Sequence, residues 1–61
     1  MITKVNYRRV NGELLRTATE NVSIKHRIGD RLTIIDNNDN WLATVVVNVI
    51  DGNNEITYIM E

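Results

Sequence analysis

Ten residues, Trp41–Ile50, restrict this chain more than any others: Trp41, Ala43, Val45, Val47 and Val49 alternate with Leu42, Thr44, Val46, Asn48 and Ile50. A period of two belongs to extended backbone, whose successive side chains point to opposite faces. The set that begins with Trp41 is the more apolar and is expected to face the core. Its partner set is also fairly apolar, and the unbroken Val45-Val46-Val47 implies a strand covered on both faces, by the fold or by a partner.

Two polar turns bracket this strand, Asn37-Asn38-Asp39-Asn40 before it and Asp51-Gly52-Asn53-Asn54 after it. They join it to Arg31–Asp36 and to Glu55–Met60, so residues 31–61 read as a three-stranded meander. Pairing through Asp51-Gly52 sets Val47 against Ile56, Val45 against Tyr58 and Ala43 against Met60, and a four-residue loop instead would shift the pairing by two and keep the same faces. Leu32 and Ile34 are expected inside, with Trp41 and Tyr58 as aromatic anchors of the core.

Met1–Val10 and Glu13–Glu20 flank Asn11-Gly12, a pair that suits a two-residue type I′ hairpin turn because both positions need positive φ. Such a turn places Val10 opposite Glu13, Arg9 opposite Leu14, Tyr7 opposite Arg16 and Val5 opposite Ala18. Val5, Tyr7, Leu14 and Ala18 then share the expected inner face with Arg9 and Arg16, whose stems can pass an apolar edge and leave the charge wet. Leu15 falls on the other face, with Ile2, Lys4, Asn6 and Arg8. Asn21–Ile28 has no clean period, since Lys25-His26-Arg27 interrupts the alternation of Val22, Ile24 and Ile28. Residues 21–30 read as a connecting loop with a short strand around Val22 and Ile24, a helix being poorly supported there.

Sixty-one residues make one small domain, residues 1–61, with a thin core. The absence of cysteine excludes a disulfide framework and a thiol nucleophile, and a lone histidine is too few for a histidine-based zinc site. Oligomerisation or a well-closed barrel is left as the stabilising device. Five short strands with tight turns and no crossover helix give an all-β fold, a small five-stranded antiparallel barrel or strongly twisted meander sheet. SH3-like closure is favoured, with an OB-like arrangement as the alternative.

Ile28-Gly29-Asp30-Arg31-Leu32-Thr33-Ile34, a polar turn, and Trp41-Leu42-Ala43-Thr44-Val45 together resemble the small-barrel rhythm of Tudor-like and KOW-like modules. The resemblance spans residues 28–60. It implies a non-catalytic module that binds peptides or nucleic acids. The aromatics, Tyr7, Trp41 and Tyr58, are too few for the cage of side chains that some Tudor-like modules build.

The residues offer little for catalysis. Asp36-Asn37-Asn38-Asp39-Asn40 has the oxygen ligands that open a calcium loop, but Trp41 stands where that loop needs glycine and Val47 where it needs a bidentate glutamate. It reads as a plain turn, and no metal or cofactor is expected. Asn21-Val22-Ser23 matches a glycosylation acceptor by chance in a chain with nine asparagines. No second histidine or cysteine exists to pair with a nucleophile, and the carboxylates of the turn are solvated. An enzyme is not expected.

Charge is unevenly spread. All seven basic residues lie within residues 1–31 against three acids, a balance of +4, whereas residues 32–61 carry five acids and no base, a balance of −5. Lys4, Tyr7, Arg8, Arg9, Arg16, Lys25, His26 and Arg27 are therefore the candidate partner-binding set. Arginines would meet an acidic protein patch or, in the alternative, phosphates, with Tyr7 stacking on a base. The opposing reading is that the basic first strand and the acidic later segments pair within the molecule.

The second face of the long strand, Leu42, Thr44, Val46 and Ile50 with Ile59 beside it, is the candidate surface for a homo-oligomer. The expectation is thus a non-catalytic protein-binding protein, with nucleic-acid binding and a structural homo-oligomer as alternatives. No secretory leader or membrane-length apolar run is present, so a cytoplasmic protein and no membrane partner are expected. The Met start and the asparagine-rich, proline-free composition suggest a whole small microbial or phage gene product, an accessory, inhibitory or regulatory protein.

Overall fold

In the computed structural model, residues 2–21 and 25–61 are described; the segment around Val22 and Ile24 and the acceptor triplet's Val22 and Ser23 lie outside them. Five strands form: β1 (Ile2–Arg9), β2 (Leu14–Asn21), β3 (Arg31–Ile35), β4 (Trp41–Gly52) and β5 (Glu55–Met60). They make one sheet in the order β2-β1-β5-β4-β3. The sheet is mixed, because β1 runs parallel to β5 while every other pair is antiparallel. Joining the N-terminal hairpin to the meander through β5 is what curls the sheet into a near-barrel.

The interior holds Val5, Tyr7, Leu15, Ile34, Val46, Ile56, Tyr58 and Met60, with Leu32, Leu42 and Val49 packed against them. Tyr7 and Tyr58 stack at 5.7 Å between ring centroids. Tyr58 and Ile34 are inside as their sequence positions suggest. Trp41 is not: it is 71% exposed, whereas Val46 is 0% exposed.

A β-bulge explains the inversion. The β4–β5 ladder runs Val49 with Tyr58 and Asn48 with Ile59, then skips Val47 and resumes with Val46 opposite Met60. One extra residue changes which parity faces inward. Val49 is therefore inside, as alternation from Trp41 requires, but beyond the bulge the inner set becomes Val46, Thr44 and Leu42. The turn also differs. Gly52 pairs with Glu55 around Asn53-Asn54, with Asn54 at φ 55°, so Val47 does not meet Ile56.

The first hairpin carries a paired correction. Gly12 N–H donates to the Arg9 carbonyl, Arg9 N–H to the Glu13 carbonyl, and Gly12 adopts φ 94°. This is a three-residue loop closed by a left-handed glycine, not a two-residue turn, so Arg9 rather than Val10 faces Glu13. A bulge at Leu15 then restores the expected register, with Tyr7 opposite Arg16 and Val5 opposite Ala18. Its consequence is that Leu15 turns into the core and Leu14 points outward.

On the outer side, Thr17, Asn6 and Thr57 form a ladder across β2, β1 and β5. The Thr17 hydroxyl donates to Asn6 Oδ1 at 3.0 Å, and Asn6 Nδ2 donates to Thr57 Oγ1 at 3.3 Å. Asn6 is buried yet satisfied, as a buried amide must be.

Candidate functional site

The two edge strands, β2 and β3, share no ladder among the described residues, and hydrogen bonds tie them together at one end. There the Asn37 N–H donates to the Leu15 carbonyl at 3.0 Å, and Arg16 Nη1 donates to the Ile35 carbonyl at 3.2 Å. The Leu15 bulge supplies that carbonyl, and the turn after β3 supplies the amide. Asp36 holds the turn, its Oδ1 accepting from the Asn38 and Asn40 amides. These bonds, that of Asn40 first, keep the Asp36 carboxyl below its ordinary pKa. Its oxygens are thus engaged by the loop itself, and among the described residues no acid or histidine cluster forms a metal site.

Away from that tie, the seam opens as a cleft of about 240 Å³ lined by Tyr7, Arg16, Glu20, Thr33, Ile34, Ile35 and Trp41. The Tyr7 hydroxyl donates to Glu20 Oε2 at 3.4 Å. Burial, and then the Glu20 carboxylate, push the Tyr7 hydroxyl up to about 12, so it stays a hydrogen-bond donor at neutral pH. Trp41 stands on the rim opposite Ile35, and Ala43 and Val45 continue its outward face.

Ladder geometry fixes which backbone groups face the seam. Asp36 N–H bonds the Asn40 carbonyl and Val46 N–H bonds the Asp30 carbonyl, so the even-numbered residues of β3 bond β4. Arg31, Thr33 and Ile35 consequently direct their amides and carbonyls to the open side. On β2, the bond from Arg9 N–H to Glu13 and that from Lys4 N–H to Asn54 show that the odd residues of β1 serve β2. Arg16, Ala18 and Glu20 answer them, which leaves the Thr17 and Thr19 groups facing the seam.

The expected basic set does not gather into one patch. Tyr7 is buried and Arg16 lies in the seam. Lys4 pairs with Glu55 across β1 and β5, Arg9 with Glu13 at the hairpin tip, and Lys25 with Asp51 at the end of β4. His26 Nδ1 is 4.0 Å from Asp30, a contact that is ionic only when the imidazole is protonated. The His26 amide donates to the Tyr58 hydroxyl at 3.2 Å, which docks the loop on the barrel. Arg8 is turned onto the Gly12 carbonyl. Lys4–Glu55 and Lys25–Asp51 join the basic half of the sequence to the acidic half, so much of the charge asymmetry is closed within the molecule. Arg27 and Arg31 have no acid partner among the described residues.

The candidate oligomer surface is likewise divided. Thr44 and Val46 are inside, the Thr44 hydroxyl donates to the Leu32 carbonyl, and Leu42 packs against the core. Ile50 and Ile59 alone remain toward the outside, and two residues do not make that surface. The reason is again the bulge at Val47. Of the seam residues that sequence reasoning missed, Thr33, Ile35, Glu20 and exposed Trp41, the last depends on it too, whereas Thr33 and Ile35 lie outward as the inward placing of Leu32 and Ile34 implies. The one trace of that inversion in the sequence is Val45-Val46-Val47, an apolar run with no clear face. Comparison with models of known families, with curated proteins and with solved structures finds no match.

Proposed function

We propose that this chain is a non-catalytic domain that binds another protein through the seam between β2 and β3. The observation that carries the reading is Trp41, 71% exposed on the rim of the seam cleft with Ile35 beside it. Exposed tryptophan beside an apolar neighbour and an arginine is the residue chemistry of energetic anchors at protein interfaces. The small-barrel rhythm of residues 28–60, which resembles Tudor-like and KOW-like modules, supports the same class of function. The nucleic-acid alternative is weakened because Lys4, Arg9 and Lys25 are engaged by carboxylates, which leaves fewer cations for phosphates.

The test is site-specific photocrosslinking in cells that carry the gene, with p-benzoylphenylalanine at Trp41 and, as the control, at Ile50 on the outside of β4. A protein adduct of defined mass at Trp41 and none at Ile50 is expected. Nucleic acid in the Trp41 adduct, or equal adducts at both positions, would overturn the reading.

A further inference from the structure

We infer that the free edge of β3 takes up an extended, acidic peptide segment of the partner as an added strand. The inference rests on the proposed protein-binding role of the seam and specifies how the partner is held. Three features carry it. The Arg31 and Thr33 amides and carbonyls face the open side, with no ladder on β2 to receive them. Such a row of unpaired groups is a template for another strand. Part of the room lies beside Thr33, in the cleft lined by Thr33, Ile34 and Ile35 on one side and Glu20 and Arg16 on the other.

Charge selects the occupant. Arg31 at the start of β3 has no acid partner among the described residues, and Arg16 reaches the other end of the strand through the Ile35 carbonyl. Arg27 lies in the loop just before β3, and among the described residues its side chain has no acid partner either. The span from Arg31 to Ile35 is about 13 Å at strand rise, the length of four to five residues of extended peptide. The one carboxylate in the cleft, Glu20, accepts the Tyr7 hydroxyl. Acidic side chains on the added strand would therefore meet Arg31 at one end and Arg16 at the other, while the apolar side chains that alternate with them turn to the opposite face, toward the cleft beside Ile34.

Backbone pairing with β3 predicts which substitution blocks it. Thr33→Pro removes an N–H that faces the seam and not β4, so the β3–β4 ladder keeps its bonds, and proline is tolerated on an edge strand in that orientation. Arg31→Glu instead reverses the charge preference without touching the backbone.

The experiment is a titration of the intact 61-residue protein, followed by amide hydrogen exchange and Trp41 emission. The probes are two synthetic decapeptides, one alternating glutamate with valine and one alternating lysine with valine. The glutamate peptide is expected to bind with a Kd of about a millimolar or below. It should slow exchange of the Thr33 amide by about tenfold or more at saturation. The lysine peptide should not, Thr33→Pro should abolish the effect, and Arg31→Glu should shift preference toward the lysine peptide. Circular dichroism of each variant checks that it is folded.

No protection of Thr33 by the glutamate peptide at several millimolar would overturn the inference, as would equal binding of the two peptides. Protection of Thr33 that grows with protein concentration alone would mean that a second copy occupies the edge, and would overturn it too. A Trp41 crosslink to a partner that survives Thr33→Pro would leave the seam as a protein-binding site and refute strand addition alone.

Discussion

Replacing Val46 by alanine should remove a large share of this domain's stability, and the same change at Val45 or Val47 should not. Val46 is 0% exposed beside Met60, so truncation removes two methyl groups from water-free surroundings. At about 0.8 kcal/mol per buried carbon the transfer loss is about 1.6 kcal/mol. A residual cavity of roughly 40 Å³ adds about 1 kcal/mol. The sum, about 2.5 kcal/mol, compares with a total of roughly 3–9 kcal/mol for a chain of this length. Val45 and Val47 are only partly buried, and their truncation should cost less than about 1 kcal/mol. Urea unfolding followed by far-UV circular dichroism is the assay, because exposed Trp41 is a poor fluorescence reporter of the transition. The midpoint should fall for Val46→Ala with the m-value unchanged. A larger loss at Val45 or Val47 than at Val46 would refute the bulge and the inward face assigned from it.

Asn6→Ala should cost about 1–2 kcal/mol, since it strips the Thr17 and Thr57 hydroxyls of their shared partner; chemical denaturation of the variant checks this. Tyr7 gives an alkaline limb to stability. Its hydroxyl is protonated up to about 12 in the folded chain against 10.0 as its ordinary value, so the folded state holds a proton that the unfolded state has lost. The contribution is complete below about pH 10 and disappears as pH rises to about 12. It amounts to about 1–2 kcal/mol once the opening of the hydroxyl to the cleft is discounted. Tyr7→Phe should flatten that limb relative to the parent in pH-dependent unfolding, and an identical limb would refute the assignment.

Strand positions were legible because their cues are local: alternation in β4, apolar runs in β3 and β5, and glycine- or asparagine-rich turns between them. The placement of Ile34 and Tyr58 followed from the same cues. What escaped is set by single-residue insertions. A bulge at Val47 and another at Leu15 each exchange the faces of a strand without changing its composition, and the second even cancels the register error of a misread turn. The parallel pairing of β1 with β5 is equally hidden, since it joins the ends of the chain and no nearby residue specifies it. The proposed seam depends on them in part: Tyr7 and Arg16 could be named from the sequence, whereas Arg31 was not among the candidates, the exposure of Trp41 follows from the Val47 bulge, and Glu20 comes near Thr33 only because the sheet curls. The pairing of Lys4 with Glu55 and Lys25 with Asp51 was foreseen only as the reading opposed to a basic patch.

Residue-by-residue amide hydrogen exchange on the free protein tests the open seam most directly. Protection should alternate along both edges: Leu32 and Ile34 slow against a fast Thr33, and Arg16 and Ala18 slow against fast Thr17 and Thr19. Thr33 and Thr17 as slow as their neighbours would mean that β2 and β3 pair in solution, that the barrel is closed, and that no edge is left for a partner.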